Sequence, residues 1–158
     1  MPLTVWTARI DCNDPDRLDV TCAGAARARL RHEPSSGGPF APPGWLLAVA
    51  KGRPGALGRL PPWVRRPAPD EPVRGGSAWY TETYTAVMRR SYRQDRRSWD
   101  ALLARDRVVL VCYCVDVDAC HRLVLARILE KLGAIYAGEI PRPGGGRHET
   151  AQQSLFPR

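Results

Sequence analysis

Residues 107–133 read RVVLVCYCVDVDACHRLVLARILEKLG, and the way this stretch folds decides the architecture of the chain. Its first part, Arg107–Val115, is apolar at successive positions and rich in valine, so neither side of it suits water. A strand of that composition belongs inside a parallel sheet, covered on both faces. The second part carries the start and stop of a helix. Asp116 or Asp118 can accept the first-turn N–H groups, Leu125, Ile128, Leu129 and Leu132 recur at helical spacing, and Gly133 supplies a terminator. Residues 134–140, AIYAGEI, return to strand character. Strand, helix and strand in that order predict a right-handed crossover in a mostly parallel sheet flanked by helices, an α/β fold of Rossmann-like type.

Toward the N-terminus, LTVWTARI (3–10) reads as a first strand and RLDVTCAG (17–24) as a second, short one. Between Glu33 and Gly76 the composition shifts, with ten of the 15 prolines and eight of the 14 glycines. That stretch reads as loop, interrupted by GWLLAVAKG (44–52), a short helix or a buried strand. From Ser77 to Arg105 a helical period returns, with a break near Asp95–Ser98. Tyr80, Tyr84, Val87, Met88, Tyr92, Trp99, Leu102 and Leu103 fall on one side of it, and Arg89, Arg90, Arg93, Arg96 and Arg97 gather on the other. The organisation expected is one α/β domain over 1–140, with a Pro/Gly-rich region at 33–76, and a flexible tail over 141–158.

The net charge is +8 and the isoelectric point about 9.8. Such an excess suits a polyanion such as DNA or a nucleotide. Only Lys51 and Lys131 among the 24 basic residues are lysines, however, so the excess also fits the arginine-rich composition that a GC-rich genome imposes. The arginine face divides the same way. It is a solvated outer face or, with Asp95 its only interleaved acid, a contact for phosphates. No apolar run is long enough to span a bilayer, and MPLTVWTARI has no basic segment followed by a long apolar one. The expectation is a cytoplasmic protein without a membrane partner, its five cysteines reduced.

Chemistry is expected at VDVDACHR (115–122), which follows the central strand. Ligands of open parallel sheets bind beyond the carboxyl ends of the strands, where helix N-termini point. There the helix dipole favours an anion, and Arg122 adds a bidentate donor. The same field lowers a thiol's pKa, which makes Cys120 a candidate nucleophile, His121 its proton partner, and Asp116, Asp11 or Asp19 an acid at the site. Cys120 equally suits a small buried hydrophobe, and His121 a packing role. A metal reading would use Cys112, Cys114, Cys120 and His121. Cys112 and Cys114 would share one face of a strand, and the spacing follows no zinc-knuckle, ribbon or finger pattern, so no cofactor is expected and zinc stays the weaker alternative.

These residues carry a resemblance. VVLVCYCVDVDACHRLVLARIL followed by a glycine resembles the signature of the family called domain of unknown function 488, of bacteria and phages, in which CHR opens the helix after an apolar strand. YTAVMRRSYRQDRRSWDALLARD (84–106) is similar to the helical segment before that strand, and LDVT (18–21) and PFAPPGW (39–45) resemble its N-terminal half more faintly. The resemblance implies a compact Rossmann-like domain with Cys120, His121 and Arg122 at its site, and it adds Asp19 and Thr21 of LDVT as substrate-binding candidates. Cys22 stands where relatives lead one to expect a basic residue.

In the tail, QQSLF (152–156) is similar to the peptide by which bacterial replication and repair proteins dock on the sliding clamp. Gln152 would form the hydrogen bond, and Leu155 and Phe156 would fill an apolar pocket or, instead, pin the tail to the chain's own core. Three functions follow. The first is an enzyme acting on DNA, a nucleotide or another phosphate-bearing substrate at the Cys-His-Arg helix start. The alternatives are a non-catalytic DNA-associated module recruited to the clamp and, more weakly, a cysteine redox or zinc protein.

Overall fold

The structure, a computed structural model, describes residues 1–24 and 37–142. Four strands, β1 (Thr4–Arg9), β2 (Arg17–Asp19), β3 (Arg107–Cys112) and β4 (Ile135–Glu139), form one all-parallel sheet in the order β2-β3-β1-β4. The valine-rich strand is interior, as its composition requires. β3 pairs with β1 from Thr4↔Arg107 to Arg9↔Cys112 and with β2 from Arg17↔Val109 to Asp19↔Val111. Among the described residues the sheet is accompanied by the helices α1 (Gly44–Ala50), α2 (Ala78–Gln94), α3 (Arg96–Leu103) and α4 (His121–Lys131). The fold is therefore α/β and Rossmann-like. None of the described helices is long and apolar enough to cross a membrane.

The two sheet faces are covered differently. Val108 and Leu110 of β3 join Val5, Trp79, Tyr84, Met88, Leu125 and Leu129 in the main core, where the helices pack. Val109 and Val111 point the other way, as alternation along a strand dictates. They are fully buried, yet the residues around them (Trp6, Ala8, Ile10, Cys12 and Ile140) belong to no described helix. Cover on this face comes in part from the short link between β1 and β2. Arg107, at the start of β3, holds that link through ion pairs with Asp14 at 2.7 Å and Asp16 at 2.8 Å.

Local chemistry sets the element ends. Ser77 caps α2 by accepting the N–H of Tyr80 at 3.2 Å. Asp95 ends α2 and begins α3, accepting the N–H of Ser98 at 3.3 Å and its hydroxyl at 2.8 Å, so the break expected near 95–98 has an aspartate as its cause. At α4 two expectations are corrected. Cys120 is its N-cap residue, and Asp116 instead accepts the N–H of Asp118 within the preceding loop. Leu132 is 38% exposed, so the buried stripe runs through Leu125, Ala126 and Leu129. Gly133 does follow the helix with φ +99°, and Gly138, φ +121°, sits where the β1–β4 register shifts.

The described part of the Pro/Gly-rich stretch is tied to the helices. Phe40 packs edge-on against Trp99 at 4.9 Å, its carbonyl accepts from the Tyr84 hydroxyl at 2.6 Å, and the Arg65 carbonyl accepts from the Trp79 indole at 3.0 Å. The ambiguous GWLLAVA segment is the helix α1.

Candidate active site

β3 ends at Cys112, one position before Tyr113 and two before Cys114, so the two cysteines do not share one strand face as expected. Cys114 lies in the exposed loop that leads to Cys120 and the first turn of α4. This turn folds the thiols back on each other. The Cys112 and Cys114 sulfurs are 3.8 Å apart, and the ligand atoms of Cys112, Cys120 and His121 all lie within 4.8 Å of one another. His121 Nδ1 stands 3.8 Å from the Cys120 sulfur and 4.0 Å from that of Cys112. On the opposite edge of the ring, Nε2 lies 2.8 Å from the Val20 carbonyl. A carbonyl only accepts, so Nε2 carries the proton and Nδ1 presents its lone pair to the sulfurs. Burial works in the same direction, depressing the His121 pKa and favouring the neutral ring.

The thiols are not equivalent. Hydrogen bonds from Cys112 and Cys120 pull the Cys114 thiol well below its ordinary range, with the charge of Arg122 assisting. Hydrogen bonding with Cys112 and Cys114, and then burial, push Cys120 up. Cys114 is the exposed thiol of the group, while Cys120 is 2% exposed.

Arg122 is fully buried and fully engaged. Its Nη1 donates to the Cys114 carbonyl at 2.8 Å, and Nη2 and Nε donate to Glu139 at 2.8 and 3.4 Å. Burial works against its charge, but the fields of Cys120 and Glu139 more than offset this and raise its pKa. Glu139, absent from the sequence reading, is the negative partner that an arginine at a helix start demands. The bond to Cys114 makes Arg122 a clamp on the loop. On the loop's other side, a Cβ at Gly75 would stand 2.6 Å from the Ala119 carbonyl, so only glycine lets the chain press so close there.

A pocket of about 510 Å³ opens beside this group, at the carboxyl ends of β2 and β3. Cys112, Cys114 and His121 form one wall, Thr21 and Cys22 another, and Tyr80 of α2 and Lys51 after α1 complete it. Cys22, standing where a cation was expected, does line the pocket, and Lys51 brings the cation from another segment. Burial and the nearby cysteines push the Tyr80 pKa up, so its hydroxyl stays protonated. Asp19 does not line this pocket. Its carboxylate accepts the N–H of Thr21 at 3.0 Å and the Thr21 hydroxyl at 2.6 Å, and Thr21 in turn accepts the N–H of Gly24 at 2.9 Å. Arg9, the register partner of Cys112, keeps its Nε buried without a hydrogen-bond partner.

The other candidates lie elsewhere. Asp116 is exposed and borders a neighbouring cleft with Glu71, Arg74 and Asp118, which shares Gly75 and Ala119 with the thiol-lined pocket, and Asp11 pairs with Arg142 at 2.9 Å. The arginine face is divided. Arg90 lies over the Trp63 ring at 4.5 Å, while Arg96 lies over Tyr92 at 4.3 Å and pairs with Asp100 at 2.8 Å. Arg89 and Arg93 border a pocket of about 300 Å³ with Tyr92, Trp99 and Lys131, and Arg97 is exposed. Gln152, Leu155 and Phe156 lie outside the described residues.

An all-parallel α/β domain with a thiol–imidazole group at the carboxyl end of its central strand is the class these features define. Residues 49–133, slightly more than half of the chain, match the family model DUF488-N3a, described as the active DUF488-N3 subclade, and the chain belongs to this family. The matched span holds α2, α3, β3 and the CHR helix start, whereas LDVT and PFAPPGW fall outside it. No curated protein and no solved structure matches the chain.

Proposed function

We propose that the chain is an enzyme acting on a nucleotide or another small phosphate-bearing substrate in the pocket at the carboxyl ends of β2 and β3. The observation that carries this reading is the convergence of Cys112, Cys114 and His121 on one wall of a pocket of about 510 Å³. That location is where sheets of this kind bind ligands, and the volume lies within the range of small-molecule sites. Membership in a subclade described as active supports catalysis. Lys51 supports the phosphate, because Arg122 is committed to Glu139 and Lys51 is the lysine in the pocket lining.

Calorimetric titration of the full chain with nucleoside monophosphates tests the reading. A charged hydrogen bond contributes about 1.5–3 kcal/mol, so Lys51→Met should weaken binding about tenfold or more. An absence of binding, or binding that Lys51→Met and Tyr80→Phe both leave unchanged, would overturn it.

A second reading has its own observation. Arg89 and Arg93 of α2 and Lys131 at the end of α4 border one cleft with Tyr92 and Trp99. Cations beside aromatic rings suit a nucleic-acid strand. In this reading the chain is a DNA-associated module, and Gln152, Leu155 and Phe156 recruit it to a sliding clamp.

A further inference from the structure

We propose that Cys112, Cys120 and His121, completed by Cys114, hold one divalent metal ion of the zinc class. The proposal concerns what the wall of the pocket is made of and does not depend on which substrate the pocket takes.

The spacing of the ligand atoms is the first argument. Two thiolates at zinc-bonding distance around a tetrahedral ion stand about 3.8 Å apart, and a thiolate and an imidazole nitrogen about 3.6 Å. The structure has 3.8 Å between the Cys112 and Cys114 sulfurs, and 3.8 and 4.0 Å from His121 Nδ1 to the sulfurs of Cys120 and Cys112. Cys112, Cys120 and His121 are therefore already compact enough to share one ion, their ligand atoms within 4.8 Å of one another, and Cys114 joins them through its 3.8 Å approach to Cys112.

Orientation is the second argument. A ligating histidine usually donates its other ring N–H to a carbonyl or carboxylate, which fixes the tautomer and aims the free nitrogen at the metal. His121 does this through Val20, and its Nδ1 faces sulfur atoms. If the thiols were only small apolar fillers, a fully formed ring acceptor would be left buried against weak S–H donors.

Rigidity is the third. Cys112 sits at the end of an interior strand, and Cys120 and His121 stand at a helix start. Arg122 grips the Cys114 carbonyl at 2.8 Å, so the most exposed ligand is also held in place. Three thiolates and one imidazole are a soft donor set that selects zinc over magnesium or calcium. Binding is balanced as follows: three S–H groups lose their protons to solvent, the neutral imidazole loses none, and the Zn²⁺ complex carries one net negative charge. The start of α4, with its positive dipole end, and the buried Arg122 stand beside that charge.

The test uses the full chain purified under reducing conditions without chelator. Elemental analysis should find about one zinc per chain. After chelation, titration with Co²⁺ should give near-ultraviolet thiolate-to-cobalt absorption and the strong visible bands of a tetrahedral site. Cys112→Ser combined with Cys120→Ser should abolish both signals, whereas Cys12→Ser should leave them unchanged. Two milder variants keep the test decisive if the double variant fails to fold. His121→Cys should retain cobalt with added thiolate absorption, and Cys114→Ala should lose about a third of that absorption, one thiolate of three. Absence of zinc together with absence of thiolate absorption would overturn the proposal, as would metal retained at the wild-type level in the double cysteine variant. Nucleotide binding is measured separately, so a failure of this site and a failure of the substrate reading can be told apart.

Discussion

Arg122 is charged at zero exposure because Glu139 reaches it from β4 at 2.8 Å. Removing one member of a buried ion pair leaves the other uncompensated. Glu139→Ala should therefore lower stability by about 3 kcal/mol, read from denaturant midpoints, and the double change Arg122→Met with Glu139→Leu should cost less than the single one. A smaller, pH-dependent effect is expected at Glu71. The hydrogen bond from Arg65, joined by the Ala68 N–H, holds its carboxyl at about 2 against an ordinary 4.5. A depressed carboxylate stabilises the fold above its unfolded pKa and loses that contribution as the pH falls. Wild type should thus lose stability relative to Glu71→Gln as pH drops from 4.5 toward 2, measured by thermal melts across that interval. The helix-start arginine was legible in the sequence, since its position demanded a negative partner. Glu139 was not, because 17 residues and a whole helix separate the pair and nothing local links them.

Among the elements, β3 was the most legible, since five consecutive buried residues from Val108 to Cys112 admit only an interior strand. The interruption between α2 and α3 was also legible, and Asp95 accounts for it. Loss of that cap in Asp95→Ala should cost about 1 kcal/mol, measured by denaturant unfolding. The loop from Tyr113 to Ala119 was not legible as the organiser of a thiol group. Zinc-spacing patterns describe knuckles and ribbons, whereas here Cys112 ends a strand, Cys114 lies in the loop, and Cys120 and His121 begin a helix. Gly75 helps fix this loop against α2, so Gly75→Ala should displace Ala119 and weaken nucleotide binding in the same titration that tests Lys51. The arginine face, drawn as one stripe, is divided by aromatic partners at Trp63 and Tyr92. If Arg89 and Arg93 hold phosphates, replacing both by alanine should reduce the salt dependence of DNA affinity by about two counterions, and an unchanged slope would exclude that contact.

The described helices and the thiol-lined pocket lie with one core, while on the other face of the sheet Val109 and Val111 pack with Trp6, Ala8, Ile10, Cys12 and Ile140. The segments that build the pocket come from distant parts of the chain: Thr21 and Cys22 after β2, Lys51 after α1, Tyr80 from α2, and the cysteines around β3 and α4. Only the last group is local in sequence, so nothing nearby in the chain ties Lys51 and Tyr80 to it, whereas Asp116 lies inside its span and outside the pocket. The most direct test of the central claim is a crystal structure of the full chain soaked with a nucleoside monophosphate. The account predicts ligand density in the pocket bordered by Cys114 and His121, with the phosphate at Lys51. Density confined to the cleft between Arg89 and Lys131, or no bound nucleotide at all, would contradict it.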